Sequence, residues 1–338
     1  LIKELLKKRS VQIIGVILVV SLVIVILLFA TKPKDYPPNS AGAPVLIAVS
    51  NGESGTAIAQ DLAGKSVVLK ASTLIVKIIA SRTAVGIAPG IHRIDTHIPS
   101  DLAIAELLDQ KRIVDSISVL PGSTESDVLK LLHGASSLMQ DDQLNAITPI
   151  FANSNNSLEG QIAPEQYSFQ PGTTTEQALS TMVKSFSNEI SQTKIQLGYL
   201  NYQPYQLLII ASLLQIEADP TDYSKAARVI YNRLQIGMPL QLNSTVQYAA
   251  GLRGKIGLST AATKILSPYN TYLHTGLPPT PISNPSLPAI VATLNPAPGN
   301  WLYFITVKPH DTRFTDSYPT FQKWVVLFNA NVAAGDFK

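Results

Sequence analysis

The longest apolar run lies near the start of the chain. From Val11 to Ala30 every residue is apolar or glycine except Gln12 and Ser21, and about 20 such residues suffice to cross a bilayer core as a helix. Lys3, Lys7, Lys8 and Arg9 precede the run, whereas only Lys32 and Lys34 closely follow it. That bias predicts a single-pass anchor with a cytoplasmic N-terminus and the remainder outside the cell membrane. The competing reading is a cleaved leader, because Ala41-Gly42-Ala43 offers small residues at a cleavage-like spacing. Against it, the run is long and that site lies far beyond its end. Pro33, Pro37, Pro38, Ser40 and Gly42 make residues 31–44 a stiff polar linker.

Beyond the linker the pattern changes to short elements. Val45 to Val49 predicts a strand, followed by a Gly-containing turn at 51–55 and a helical pattern through Leu62. The same order recurs at Ile117 to Leu120, where Pro121-Gly122-Ser123-Thr124 leads into a helix through Leu132. It recurs again at Tyr167-Ser168-Phe169, where Pro171-Gly172-Thr173 leads into a helix through Val183. Thr173 and Glu176 have capping-box spacing. The recurrence reads either as small repeated α+β modules or as ordinary turn chemistry at strand–helix junctions. Residues 136–157, rich in Asn, Gln, Ser and Asp, read as a connector, and Ser267 to Pro288 as a long proline-stiffened loop. Trp301 to Val307 predicts a buried strand and Phe321 to Val332 a closing helix.

The expected fold class is α+β, with small modules near the membrane and a helix-rich domain beyond them. The boundaries are a tail at 1–10, a span at 11–30, the linker at 31–44, an N-terminal module at 45–114, and the remaining domain with its connecting module at 115–338.

Composition narrows the function classes. Net charge is +3 over 338 residues with no long Lys/Arg block, which argues against a nucleic-acid surface. With no cysteine there is neither a disulfide framework nor a thiolate metal site. The five histidines form no helical zinc pair and no Gly-rich phosphate loop occurs, so neither metal nor cofactor is expected.

Gln206 to Ala218 is apolar on nearly every face, which marks a buried helix. Glu217 follows Leu213 and Leu214 by four and three positions, over an apolar turn. Pro220 biases Asp219 away from helical geometry and places Glu217 in the last turn. Poor solvation and the negative helix end both disfavour its carboxylate, which keeps a proton available for general-acid chemistry. A surface glutamate at a frayed helix end would show the same spacing. Asp219-Pro220 reads as an N-cap and first helical residue of a second helix through Leu234, with Gly237 at its exit.

Several ordered motifs together resemble the YceG/MltG family of membrane-bound endolytic murein transglycosylases. They are the run from Ala211 to Glu217, the run from Tyr231 to Gln241, Ser267-Pro268-Tyr269-Asn270-Thr271-Tyr272, and Gly276-Leu277-Pro278-Pro279. Leu158-Glu159-Gly160, Asn295-Pro296-Ala297 and Leu302-Tyr303-Phe304 add to them. The resemblance implies LysM-like N-terminal modules and cleavage of the β-1,4 bond between N-acetylmuramic acid and N-acetylglucosamine in peptidoglycan strands. It further implies 1,6-anhydro ends, Glu217 as acid then base, termination of nascent strands, and association with wall-synthesis proteins.

Gln241, Asn243, Tyr269, Asn270, Tyr272 and Glu159 are the candidates for substrate contact, since amides bond sugar hydroxyls and rings supply flat apolar faces. The chain departs from the family in three places. Gln215 replaces the first of two glutamates, Leu242-Asn243-Ser244 stands where Ser-Asp-Pro is usual, and the His-x-Phe motif is displaced, with Thr312 two and His310 four residues before Phe314. Two alternatives stay open: a muramidase that activates water with a second carboxylate such as Glu159 or Glu165, and a noncatalytic peptidoglycan-binding or assembly protein.

Overall fold

The computed structural model describes residues 35–337 except 51, 115, 136–137, 141–146, 152–153, 155, 171, 253–258 and 260, with the backbone alone for 84–85. The run from Val11 to Ala30 lies outside the described residues. Among those described, no helix is long and apolar enough to cross a membrane. Strands and helices mix in an α+β fold, and the chain divides into two compact units between Val114 and Asp115.

In the first unit the expected strand forms as β1 (Pro44–Val49) and pairs antiparallel with β2 (Gly90–Asp95), Ile47 opposite His92. Between them lie α1 (Gly55–Gly64) and α2 (Ala71–Ser81), and α3 (Ser100–Leu108) follows β2. The Ser54 hydroxyl starts α1 by accepting the Ala57 N–H. Ile47, Leu62, Leu74, Ile94 and Leu107 fill the core between sheet and helices.

In the second unit β3 (Ile117–Ser118) pairs with β4 (Gln166–Tyr167). The second and third copies of the strand–turn–helix pattern therefore share one sheet, while the first contributes its strand to another. Thr124 and Asp127 form the capping box of α4 (Glu125–Gly134). The next box sits one residue beyond its expected place. Thr174 and Gln177 cap α5 (Thr175–Ser191), because the Thr173 amide is turned back to Gln170 and its carbonyl accepts the Met139 N–H.

The apolar segment forms α6 (Pro204–Glu217), with Leu207, Leu208, Ile210, Leu213 and Leu214 wholly buried. It packs against α7 (Tyr223–Gln235), α8 (Asn243–Ala250) and α9 (Leu287–Leu294), as a helix apolar on all sides must. Ala218 leaves α6 in an extended conformation. Asp219-Pro220 opens a separate turn of 3-10 helix, Pro220–Asp222, before α7 begins. Gly237, at φ +67, ends α7 with the Met238 N–H on the Arg233 carbonyl, a Schellman closure.

The proline-stiffened loop is fastened from within. Buried Asn284 accepts the Ile162 N–H through Oδ1 at 3.0 Å and donates Nδ2 to the Ser123 carbonyl at 2.9 Å. The chain closes with the hairpin β5 (Tyr303–Lys308) and β6 (Asp311–Thr315), on which α10 (Tyr318–Ala334) packs. The strand expected to be buried at Trp301 to Val307 is half-exposed. The two-stranded hairpin is covered chiefly by α10, with a smaller contact from α7 to β5, and of this strand Val307 alone is wholly enclosed.

Candidate active site

Glu217 is the last residue of α6. Its side chain remains partly accessible while its carboxyl is held inside: Oε1 accepts the Ser244 N–H at 3.1 Å. That amide belongs to the first turn of α8, whose positive end therefore faces the carboxyl. The end of α6 disfavours the charge and the start of α8 favours it. Arg233, almost fully buried on α7, donates to the carbonyls of Leu240 and Leu302 and stacks over the Tyr303 ring. Burial pushes the Glu217 carboxyl above the usual carboxylate range, and Ser244 and the positive Arg233 pull it part of the way back. The Ser244 hydroxyl, buried beside it, also lowers the carboxyl's pKa.

Asn243 and Tyr272 complete this cluster. The Tyr272 hydroxyl donates to Asn243 Oδ1 at 2.6 Å. Burial raises the tyrosine's pKa, and the nearby Glu217 charge raises it further. Gln241 stands two residues before Asn243, exposed, with its backbone N–H donated to the Thr271 carbonyl. Its φ of +49 is left-handed, an uncommon setting for a residue with a side chain and one that concentrates at functional sites. Asn270 is a brace for the loop. Its Nδ2 donates to the carbonyls of Thr263 and Ile265, and its Oδ1 accepts the Tyr272 N–H. It shapes the platform that carries Tyr269 and Tyr272, with its own amide already engaged by backbone.

A family profile described as the YceG-like family matches residues 47–326. The chain belongs to the YceG-like family. An endolytic murein transglycosylase of Bacillus subtilis is 37% identical over 165 residues, covering 48% of this chain and 46% of that protein. Another, from Streptococcus pneumoniae strain D39, is 38% identical over 153 residues, covering 44% of this chain and 28% of that one. The matched stretch thus spans less than half of either curated relative. A solved structure of a yceG-like protein from Listeria monocytogenes shares the fold, with a TM-score of 0.54 at 24% identity over 83% of this chain and 98% of that one.

The remaining candidates of this YceG-like chain fall in a second cluster. Glu159, 4% exposed, accepts the Glu125 N–H through Oε1 at 3.2 Å and the Tyr248 hydroxyl through Oε2 at 3.1 Å. Tyr269 packs its ring 5.1 Å from that of Tyr248 and bonds the Thr280 hydroxyl at 2.8 Å. Glu159, Tyr248 and Tyr269 line a cavity of about 620 Å³. Glu165, the other candidate second carboxylate, accepts the Ser185 hydroxyl.

Each departure from the family pattern has a definite place. Gln215 is engaged at the start of α9, where its Oε1 accepts both the backbone N–H and the hydroxyl of Ser286. His310, at the turn of the β5–β6 hairpin, lies 3.1 Å from the Asp219 carboxylate, two residues past Glu217. Thr312 pairs across the hairpin with Thr306, and Phe314 packs against Trp301 and Phe304. Among the described residues no group of three or more His, Asp or Glu could hold a metal ion.

Three residues of the site were not among the sequence candidates: Arg233, Ser244 and Tyr248. The pattern does carry a signal for the first, because Arg233 follows Ala226, Val229 and Ile230 on the apolar stripe of α7, where a cation needs a reason. Ser244 and Tyr248 are four apart on α8 and share a face once Asn243 is known to start a helix.

Proposed function

We propose that this YceG-like chain is a lytic transglycosylase that cuts peptidoglycan strands internally at the β-1,4 bond between N-acetylmuramic acid and N-acetylglucosamine. The observation that carries the reading is Glu217: a partly accessible residue at the end of an apolar helix, whose enclosed carboxyl has a raised pKa and accepts one backbone N–H. Protonated, it donates to the oxygen of the leaving sugar as the C1–O bond breaks. As carboxylate it then removes the proton of the muramoyl C6 hydroxyl, whose oxygen closes on C1 to give the 1,6-anhydro ring. One group thus serves as acid and then base, and the nucleophile is supplied by the sugar with its orientation already set. The Ser244 amide and Arg233 stabilise the carboxylate between the two steps.

In this reading Asn243, Tyr272 and Gln241 contact the sugar, which the Tyr272–Asn243 hydrogen bond supports, and Asn270 holds the loop that presents Tyr269 and Tyr272. The apolar run at 11–30 anchors the chain in the cell membrane with the enzyme outside, near wall-synthesis proteins, where it ends nascent strands. The first unit is a LysM-like module that adds glycan affinity. Names of the curated relatives support the activity. The direct test is Glu217→Gln, expected to lower strand cleavage by about 10²–10⁴-fold while strands still bind. Undiminished cleavage would remove Glu217 from the chemistry.

A further inference from the structure

Asp35 stands five residues after Ala30, the end of the long apolar run, and it is already fastened to the first unit. Its two carboxylate oxygens accept the Ser100 N–H at the start of α3, at 3.1 and 3.0 Å, and Oδ2 also pairs with Lys77 of α2 at 3.3 Å. A negative charge at a helix start is favourable, so Asp35 caps α3 from outside it. The Tyr36 ring packs edge-on 5.1 Å from that of His97, and the Gly42 N–H bonds the Thr96 carbonyl at 2.8 Å. The polar segment is thus bound to the unit along its length and does not hold it away. Five residues of extended chain reach at most about 18 Å, so an anchor ending at Ala30 keeps α2 close to the bilayer surface.

That helix turns an apolar face to solvent. Ser72, Val76, Ile79 and Ala80 are exposed at helical spacing, on the side away from buried Leu74 and Ile78, with Val76 65% and Ile79 70% accessible. Lys70 and Arg82 are exposed at its two ends, and from Ala63 to Ile94 the chain has no Asp or Glu. Two acids from elsewhere, Asp35 and Asp101, both hold Lys77. Lys32, Lys34, Lys70, Lys77 and Arg82 outnumber them, so the surroundings of α2 keep an excess of positive charge. Resting on the proposed membrane anchor, we infer that α2 docks on the surface of an anionic bilayer, with Val76, Ile79 and Ala80 toward lipid and Lys70 and Arg82 toward headgroup phosphates. An apolar helix face with basic flanks is the form that lies in the interfacial plane. Anionic headgroups attract such cations only within about a Debye length of the surface, and the short tether supplies that proximity. It also makes the contact intramolecular, so that a weak helix–lipid interaction is enough.

The chain has no cysteine, so a single introduced cysteine carries a fluorophore at one defined place. The full chain is reconstituted into vesicles of phosphatidylcholine and phosphatidylglycerol that contain nitroxide-labelled lipid, with the label at Ser72→Cys, Ala80→Cys or Arg93→Cys. Arg93 is exposed on the face of β2 opposite core residue Ile94, and serves as the reference. The two labels on α2 are expected to shift to the blue and lose emission to the nitroxide, while the label at 93 does neither. Val76→Glu with Ile79→Glu, both at exposed positions, is expected to abolish the quenching at Ala80→Cys while the chain still floats with the vesicles. Flotation with the α2 labels quenched no more than the reference overturns the docking and leaves the anchor in place. Quenching that survives the two glutamates overturns it as well. A chain that does not float with the vesicles removes the anchor, and the docking with it.

Discussion

Ser244 sets the balance at the Glu217 carboxyl. Its amide favours the ionised form, so removing that donor moves the pKa of an already elevated group further up. General-acid activity requires the protonated form and is lost as pH rises through this pKa. Ser244→Pro is compatible with the first turn of α8 and deletes both the N–H and the hydroxyl. It is expected to carry the alkaline limb of the kcat/KM profile to higher pH, and an unmoved or lowered limb would contradict the role given to Ser244. Stability follows the same group with its own sign. A carboxyl whose folded pKa exceeds its unfolded pKa costs stability as pH rises from the unfolded value through the folded one. Glu217→Gln should therefore raise the unfolding temperature at pH 8 and have little effect at pH 4. A loss of stability at both would point to a structural glutamate.

At the scale of elements, α6 and its close neighbours decide where the acid stands. Gly160, at φ +80, lies so near the loop that an added Cβ would sit 2.7 Å from Pro281 Cβ. Gly160→Ala is expected to cost about 1–3 kcal/mol in denaturant unfolding, and a neutral outcome would show that the loop is free to give way. Much of this level was legible in the chain. The all-round apolarity of Gln206 to Ala218 marked the central helix, and Pro220 placed Glu217 at its end. The capping register was missed by one residue because adjacent threonines at 173 and 174 both satisfy the local rule, and only a contact with Met139 chooses between them. The partner strand β2 and the helices α2 and α3 were not predicted. The bond from Ser244 to Glu217 spans 27 residues, and the one from Tyr248 to Glu159 spans 89. No local pattern reports such pairings, which is why those partners were not legible while Glu217 was.

For the whole molecule, two units with separate cores imply two unfolding events. Leu74→Ala in the first core and Leu213→Ala in the second, both wholly buried, are each expected to remove about 2–5 kcal/mol. Calorimetry should show each substitution lowering one transition and sparing the other, and a joint shift would mean a single cooperative unit. The catalytic account places all of its named groups in the second unit, and it makes the sugar, not water, the nucleophile. The most direct measurement is mass spectrometry of glycan strands cut by the full-length chain in water enriched in heavy oxygen. The account predicts new ends that are one water lighter than reducing ends and carry no heavy oxygen. New reducing ends labelled from the solvent would contradict it and mark the enzyme as a hydrolase.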